Sequence, residues 1–417
     1  CFVYNISWML RFLTAGESHG RGLVAILEGI PAGLAINFDA ITHQMRRRQK
    51  GYGRGQRMKI ESDQAEILSG VRDGQTIGGP IALLVNNKDW PNWERTMQVS
   101  ATELESTKGE RKPPVSRPRP GHADLAGTIK YDRTDIRDVL ERASARETAA
   151  RVAAGAVARQ LLELFNIEIV SHVTGIAGIE ISETMVPFDR VREIPEDAVL
   201  RCVDQEAETA MVAAIDTARE AGDTVGGKFE VILHGLPLGL GSYVQWDRKL
   251  DGRLAQAVMS IPAIKAVGIG LGPGVSALPG SQVHDEIVLP SQPIENDGSK
   301  YGVVRPTNNA GGLEGGVTNG EDLRVSGYMK PISTLMKPLR SVDISTMTEA
   351  PATVERSDVC AVPAASVVAE AMISLVIADA FLEKFGGDSI NEVTRHLSAS
   401  TTLSRSRLNN SSSNRAG

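Results

Sequence analysis

The sequence predicts an α+β fold organised around long apolar helices, and three observations lead there. Arg142–Phe165 reads as a helix start followed by about five turns at ~3.6 residues per turn, mostly Ala, Val, Leu and Gly from Ala149 onward. A second apolar helix is expected over roughly Ala364–Phe385, stopped by Gly386 and Gly387. Short apolar runs of strand type stand before the first helix and between the two. A helix that is apolar on most of its circumference must be packed on most of it, which places the first helix in the interior.

Taken in order, Leu10–Ala15 and Val24–Gly29 are strand candidates, and Asp39 is expected to cap a short helix ending in Arg46, Arg47, Arg48, Gln49 and Lys50. Further strand candidates fall at Met58–Glu61, Glu66–Ser69 and Ile81–Val85. Lys88–Pro118 is polar and aperiodic, a long surface excursion with the character of a lid. Ser144 and Glu147 have the spacing of a capping box at the start of the first long helix. Beyond it, Glu168–Ile181 and Lys228–His234 are strand candidates flanking a helix at Ala198–Ala221.

At 417 residues the chain can bury a large core. Length alone allows about two to three domains; residues 1–8 precede Met9 and read as an extension outside the fold, and the Ser/Asn-rich stretch 398–417 as a disordered tail. Aromatics make up only 4% and the net charge is −6, a poor match to stacking on bases or to a polyanion surface, so no nucleic-acid partner is expected. Anions must instead be drawn by local positive charge in a cleft. The three cysteines lack any metal-ligand spacing, so no metal is expected, and their scarcity points to a reducing compartment, the cytoplasm. No apolar run approaches the ~20 residues of a membrane span.

Candidate chemistry sits in loops. His19 lies in the turn Gly16-Glu-Ser-His-Gly20, suited to proton transfer near neutral pH. Ser18 is its sequence neighbour, a poor arrangement for a nucleophile pair, and no G-x-S-x-G elbow occurs, which excludes a serine hydrolase. Arg46–Arg48 run into Gly51-Tyr-Gly-Arg-Gly-Gln-Arg57, where glycines let several guanidiniums converge on a ligand with several anionic groups. His122 follows two stiffening prolines, Pro118 and Pro120, in a basic loop. Arg142 and Arg146 flank a helix N-terminus, a natural anion site.

Two glycine-rich stretches mislead. Gly222–Lys228 has P-loop spacing, but Phe229 replaces the metal-binding hydroxyl and a strand follows. Gly268–Gly274 does not fit G-x-G-x-x-G. The loop Asn308–Gly316 suits backbone lying against a flat ligand, and Lys330–Thr334 adds a cation and two hydroxyls. Asp358 stands beside Arg356, before the second long helix. Together these features indicate a polyanionic small substrate and a planar or phosphorylated cofactor. An anion-binding module without chemistry and a phosphoryl transferase are the competing classes; three acid–base candidates disfavour the first and the missing P-loop the second.

Thr14-Ala-Gly-Glu-Ser-His-Gly20, Arg48-Gln-Lys-Gly-Tyr-Gly-Arg-Gly55, Arg117-Pro-Arg-Pro-Gly-His-Ala-Asp124, Glu141-Arg-Ala-Ser-Ala-Arg-Glu-Thr148, Asn309-Ala-Gly-Gly-Leu-Glu-Gly-Gly316, Lys330-Pro-Ile-Ser-Thr334 and Arg356-Ser-Asp358 resemble, in order, the motifs of the chorismate synthase family. The resemblance runs from about Met9 to Leu397 and implies a single catalytic domain over 9–397. It implies a helical core sandwiched between antiparallel sheets, with long active-site loops and a homotetramer. It implies anti 1,4-elimination of phosphate and the C6 hydrogen from 5-enolpyruvylshikimate 3-phosphate, requiring reduced FMN without net redox change. Either the enzyme reduces its own flavin or an external flavin reductase does, with NADPH as the indirect reductant.

Residue by residue, the resemblance makes His19, His122 and Asp358 catalytic, with His19 near the leaving phosphate, His122 near the flavin and Asp358 at flavin N5. It makes Arg48, Arg54, Arg57, Arg119, Ser144, Arg146 and Arg356 substrate ligands. FMN contacts are implied for Arg142, Ala143, Ser144, Gln256, Ala257, Gly315, Lys330, Pro331, Ile332, Ser333, Thr334 and Arg356.

Overall fold

Two antiparallel sheets face each other across a layer of helices in the computed structural model, which describes residues 9–55, 63–102, 109–290, 303–355 and 357–400. Residues 1–8, Arg57, the strand candidate at 58–61, Arg356 and the tail beyond 400 lie outside the described residues. The first sheet contains β1 (Arg11–Ala15), β2 (Gly22–Glu28), β3 (Ala65–Ile67) and β4 (Ile81–Asn86) in the order β1-β2-β4-β3. Alternation along β2 buries Leu23, Ala25 and Leu27 and leaves Ile26 outside.

The second sheet contains β5 (Glu168–Ile176), β6 (Ile179–Glu180), β7 (Gly227–His234), β8 (Ile264–Ile269) and β9 (Leu323–Met329), in the order β8-β9-β7-β5-β6. The single strand expected over Glu168–Ile181 is instead a hairpin. Ala177 and Gly178 both take positive φ, 54° and 81°, and fold β6 back on β5.

The helices that position the site are α1 (Phe38–Gln49), α2 (Asp124–Lys130), α3 (Arg137–Ala143), α4 (Thr148–Glu163), α5 (Gln205–Glu220), α6 (Leu250–Met259) and α7 (Val362–Phe385). α4 packs on β2 and β4, α7 packs on β5 and β7, and the two helices pack on each other with α1 across both. This is the layered core that the family resemblance implies.

Caps differ from expectation. Asn37, not Asp39, caps α1 by accepting from Ala40 N at 3.1 Å, and Asp204 starts α5 seven residues after the predicted Ala198–Ala221 helix begins, counting 198 to 205. The predicted start at Arg142 is the end of α3, and a 3-10 turn, Ala145–Glu147, precedes α4. No capping box forms: the Glu147 carboxylate accepts from Thr14 and Arg151. Helix 390–400 takes in the first residues of the predicted tail.

α7 is apolar on every side and is stopped at Gly386. Among the described residues it is the helix long and apolar enough to cross a membrane, and 94% of its apolar window is buried inside the fold. Two carboxylates interrupt it. Glu370 meets Arg47 and Arg159 in the interior, and Asp379 accepts from the backbone N–H of Leu10 at 2.7 Å and from Arg253.

The α4–α7 contact depends on Gly155. A Cβ there would lie 2.5 Å from the Cβ of Ala371 and 2.6 Å from its Cα and carbonyl oxygen. Gly155→Val is therefore expected to destabilise the fold by about 3 kcal/mol, the upper end of ordinary overpacking. An unchanged urea midpoint for the variant would contradict this packing.

Candidate active site

The turn after β1 places His19. Gly16 has φ 106°, and a Cβ there would sit 2.4 Å from the carbonyl oxygen of Gly22, so only glycine makes this turn. Ser18 N–H donates to the Glu141 carbonyl (2.9 Å), and Asn87 Nδ2 donates to the Gly20 carbonyl (2.8 Å). The His19 backbone N–H donates to Glu141 Oε2 at 2.8 Å, and its ring Nδ1 lies 2.9 Å from the same oxygen. The ring stacks on Trp93 at 3.7 Å between centroids, and Lys112 Nζ lies 3.1 Å from the Trp93 ring centroid. The predicted excursion 88–118 thus supplies the surface against which His19 is flattened. Burial works against the Glu141 charge, but the contacts from His19 and Arg137 outweigh it and hold the carboxyl below its usual range.

His122 is held in a parallel way. Its Nδ1 lies 2.5 Å from Asp124 Oδ1. Arg119 donates to Asp124 from its backbone N–H (3.0 Å), Nε (2.8 Å) and Nη2 (3.0 Å), and from Nη1 to Thr334 Oγ1 at 3.0 Å. Burial opposes the charge on Asp124, yet hydrogen bonds from His122 and Arg119 win and hold its carboxyl far below the carboxylate range. Lys330 Nζ donates to the Gly121 carbonyl at 2.7 Å, which ties the Lys330–Thr334 loop to the same turn.

Arginines and Asp358 extend the networks around the two histidines. Arg146 Nη1 donates to Asp63 Oδ2 at 2.5 Å, while Arg48 Nε donates to Thr148 Oγ1 at 3.0 Å with its Nη1 3.4 Å from Asp63. Arg54 pairs with Asp358 at 3.0 Å, and Gly55 N–H donates to the other oxygen of that carboxylate at 2.6 Å. Val225 N–H donates to the Val359 carbonyl (3.0 Å) and Thr224 Oγ1 to the Ile332 carbonyl (2.7 Å), joining Asp358 to the Lys330–Thr334 loop. Ser144 Oγ donates to Ser18 Oγ at 3.2 Å, joining the helix start to the His19 turn.

The remaining predicted contacts lie along one further path. Arg142 donates to the Thr14 carbonyl and hydroxyl, each at 2.9 Å, next to Ala143 and Ser144. Thr14 donates to Glu147, and Arg151 bridges Glu147 to Ser260. Gln256 and Ala257 lie one turn before Ser260 and line a cleft of about 290 Å³ with Phe12, Met372 and Asp379. Gly315 stands in the hairpin Leu313–Thr318, whose Gly316 carbonyl accepts from Leu250 at the start of α6.

The structure therefore gathers His19, Ser144, Arg146 and Arg48 into one hydrogen-bonded network and His122, Arg119, the Lys330–Thr334 loop, Asp358 and Arg54 into a second, with Gln256, Ala257 and Gly315 around α6. Sequence reasoning gave no role to Glu141, Asp124, Asp63 or Trp93. Both Glu141 and Asp124 stand inside motifs already singled out, but only Asp124, two positions from His122, offered the signal of a carboxylate beside a candidate histidine; Glu141 is 122 positions from His19. Asp63 and Trp93 carried no local signal.

A family model for chorismate synthase matches residues 10–382. A chorismate synthase of Geobacter sulfurreducens is 57% identical over 388 residues, covering 93% of this chain and 97% of that protein. One from Moorella thermoacetica is 56% identical over 391 residues, covering 94% and 98%. A crystal structure of chorismate synthase superposes with a TM-score of 0.75 at 43% identity, covering 95% of this chain and 98% of that one.

Proposed function

The chain belongs to the chorismate synthase family, and from that premise we propose how its residues carry the reaction. It is a lyase of aromatic amino acid biosynthesis that eliminates phosphate from 5-enolpyruvylshikimate 3-phosphate to give chorismate. One observation carries the residue-level reading: two histidines are each bonded through Nδ1 to a buried carboxylate, and the hydrogen-bonded networks around them hold Arg48 and Arg146 with His19 and Arg54 and Asp358 with His122.

The substrate carries a phosphate and two carboxylates, and guanidinium groups are the natural partners of both. Arg48, Arg54 and Arg146 hold these anions with Ser144, and Arg57 and Arg356 join them from the same motifs. Arg119 spends its donors on Asp124 and Thr334 and supports the site through them. His19 gives a proton to the departing phosphate, His122 manages the proton balance on the flavin side, and Asp358, fixed by Arg54 and Gly55, takes the proton that accompanies loss of the C6 hydrogen.

The donor set suits FMN. Arg142 and Lys330 are cations, and Ser144, Ser333 and Thr334 are hydroxyls, together the partners a flavin phosphate needs. Gly315 has φ 63°, and a Cβ there would find nothing nearer than Tyr243 Cβ at 4.0 Å, leaving open backbone for a flat ring. Ala143, Gln256, Ala257, Pro331, Ile332 and Arg356 complete the set. Bound at these residues, reduced FMN would supply the electron density that loss of phosphate and of a weakly acidic C6 hydrogen requires. Either this enzyme or an external reductase keeps the flavin reduced, with NADPH as the indirect source of electrons.

The expected result is turnover only with reduced FMN under anaerobic conditions, following phosphate and product together. Equal rates with oxidised FMN, or with none, would overturn the reading. Assembly as a homotetramer is supported by the outer face of the first sheet, where Leu13 and Ile26 pair across strands yet are 69% and 42% exposed. The free thiols Cys202 and Cys360 suit the cytoplasm.

A further inference from the structure

Asp124 and Glu141, the carboxylates that hold the two histidines, belong to one small unit. Asp124 opens α2, Glu141 lies in the last turn of α3, and residues 131–136 connect the helices. So short a connection makes neighbouring helices antiparallel. Gly127 of α2 lies against Val139 of α3: a Cβ on Gly127 would be 2.4 Å from Val139 Cγ1. With position 127 level with 139, the hairpin brings 124 and 141 to the same end. Both carboxylates are 1% exposed, so neither is free to turn to water.

We infer that the α2–α3 hairpin is a bracket in which Asp124 and Glu141 are positioning residues, holding His122 and His19 as Nδ1–H tautomers so that each presents Nε2 to the reacting groups. The Nδ1 contacts of 2.9 Å and 2.5 Å are hydrogen-bonding distances, and an ionised carboxylate can only accept. A carboxylate that only accepts favours the proton on Nδ1, which leaves Nε2 as the nitrogen that takes a proton when the ring is neutral and gives it up when the ring is charged. The other charged groups at each ring agree with ionised carboxylates. Around His19 these are Arg137, 3.5 Å from Glu141, and Lys112 over Trp93. At His122 it is Arg119, whose Nη2 lies 3.1 Å from Nδ1 and 3.5 Å from Nε2; a guanidinium only donates and so competes for the Nδ1 lone pair, but the carboxylate of Asp124 stands closer, at 2.5 Å. The hairpin also couples the two histidines mechanically, because moving one carboxylate moves the element that carries the other.

The consequence for proton transfer rests on the elimination proposed above; the tautomers themselves do not. Nitrogen NMR of the full-length protein, with labelled imidazoles assigned through His19→Asn and His122→Asn, reads the tautomers without flavin or substrate. The expected result is a protonated Nδ1 and an unprotonated Nε2 at both neutral rings. Glu141→Gln should move the population toward Nε2–H at His19 alone, and Asp124→Asn at His122 alone. In the anaerobic assay each should lower kcat by about 10–100-fold with little change in KM, as loss of an orienting partner does, and Glu141→Asp should recover part of that loss. A dominant Nε2–H tautomer at either ring of the unmodified protein overturns the inference, and that measurement needs no variant to fold. So do variants that leave both tautomers and kcat unchanged. If the protein shows both Nδ1–H tautomers but no elimination, the proposed reaction falls and the bracket stands.

Discussion

Glu370→Ala is expected to destabilise the folded chain by about 3–5 kcal/mol, the range for stranding a buried charge cluster. Glu370 is 2% exposed in the middle of α7. It receives two hydrogen bonds from Arg47 (2.6 and 2.7 Å), one from Arg159 (2.8 Å) and one from Ser171 (2.5 Å), with Arg201 at 3.7 Å. Burial alone would neutralise this carboxyl, but the charges of Arg47, Arg159 and Arg201 prevail and hold it far below the carboxylate range. Without it, three guanidiniums face one another in the interior. Burial and the charge of Arg47 already pull Arg201 down to about 10.

Because Glu370 titrates lower in the folded chain than in the unfolded one, its contribution is complete above the unfolded range of about pH 4–5. The contribution fades as acid carries the pH toward the folded value. The stability gap between the natural chain and Glu370→Gln should therefore narrow on acidification. Urea titrations of both proteins across that range measure it, and a gap that is absent at neutral pH, or that widens in acid, would refute the assignment.

His122→Ala should reduce kcat by about 10²–10⁴-fold while substrate affinity changes little. The ring touches Asp124 and Arg119, both of which keep each other as partners when it is removed. The fold and the arginine sites should therefore survive. Calorimetric titration of substrate and anaerobic turnover with reduced FMN, on one preparation, separate binding from chemistry. Full turnover at saturating substrate would make His122 a structural residue of the loop.

The layers of this fold were legible where periodicity was strong. α7 begins two residues before its predicted start, at Val362 rather than Ala364, and ends at the predicted Phe385. β1, β2, β4 and β7 fall where apolar runs stood. β8 and β9 were missed for a physical reason: β9 carries the buried Arg324 and Gly327, and β8 carries Gly268, so neither shows the clean alternation of a half-buried strand. The hairpin at Ala177 was hidden because a non-glycine residue takes the left-handed turn.

Within the site, loops and arginines were visible but their partners were not. Glu141 reaches His19 across 122 positions and Asp63 reaches Arg146 across 83. No local spacing encodes contacts of that range. Asp124 is the instructive exception, only two positions from His122, yet its role depends on a burial that sequence does not display.

The bond from Leu10 to Asp379 has a consequence for synthesis. It joins residues 369 positions apart, and at about 5–20 residues per second a ribosome needs roughly 20–70 s to make the second partner after the first. Once α4 is made, and until α7 follows about 200 residues later, the nascent chain carries the face of α4 that α7 will cover without its partner. Such a chain invites holding by chaperones, and a message cut short before Ala364 would yield two open half-cores with aggregation as their outlet.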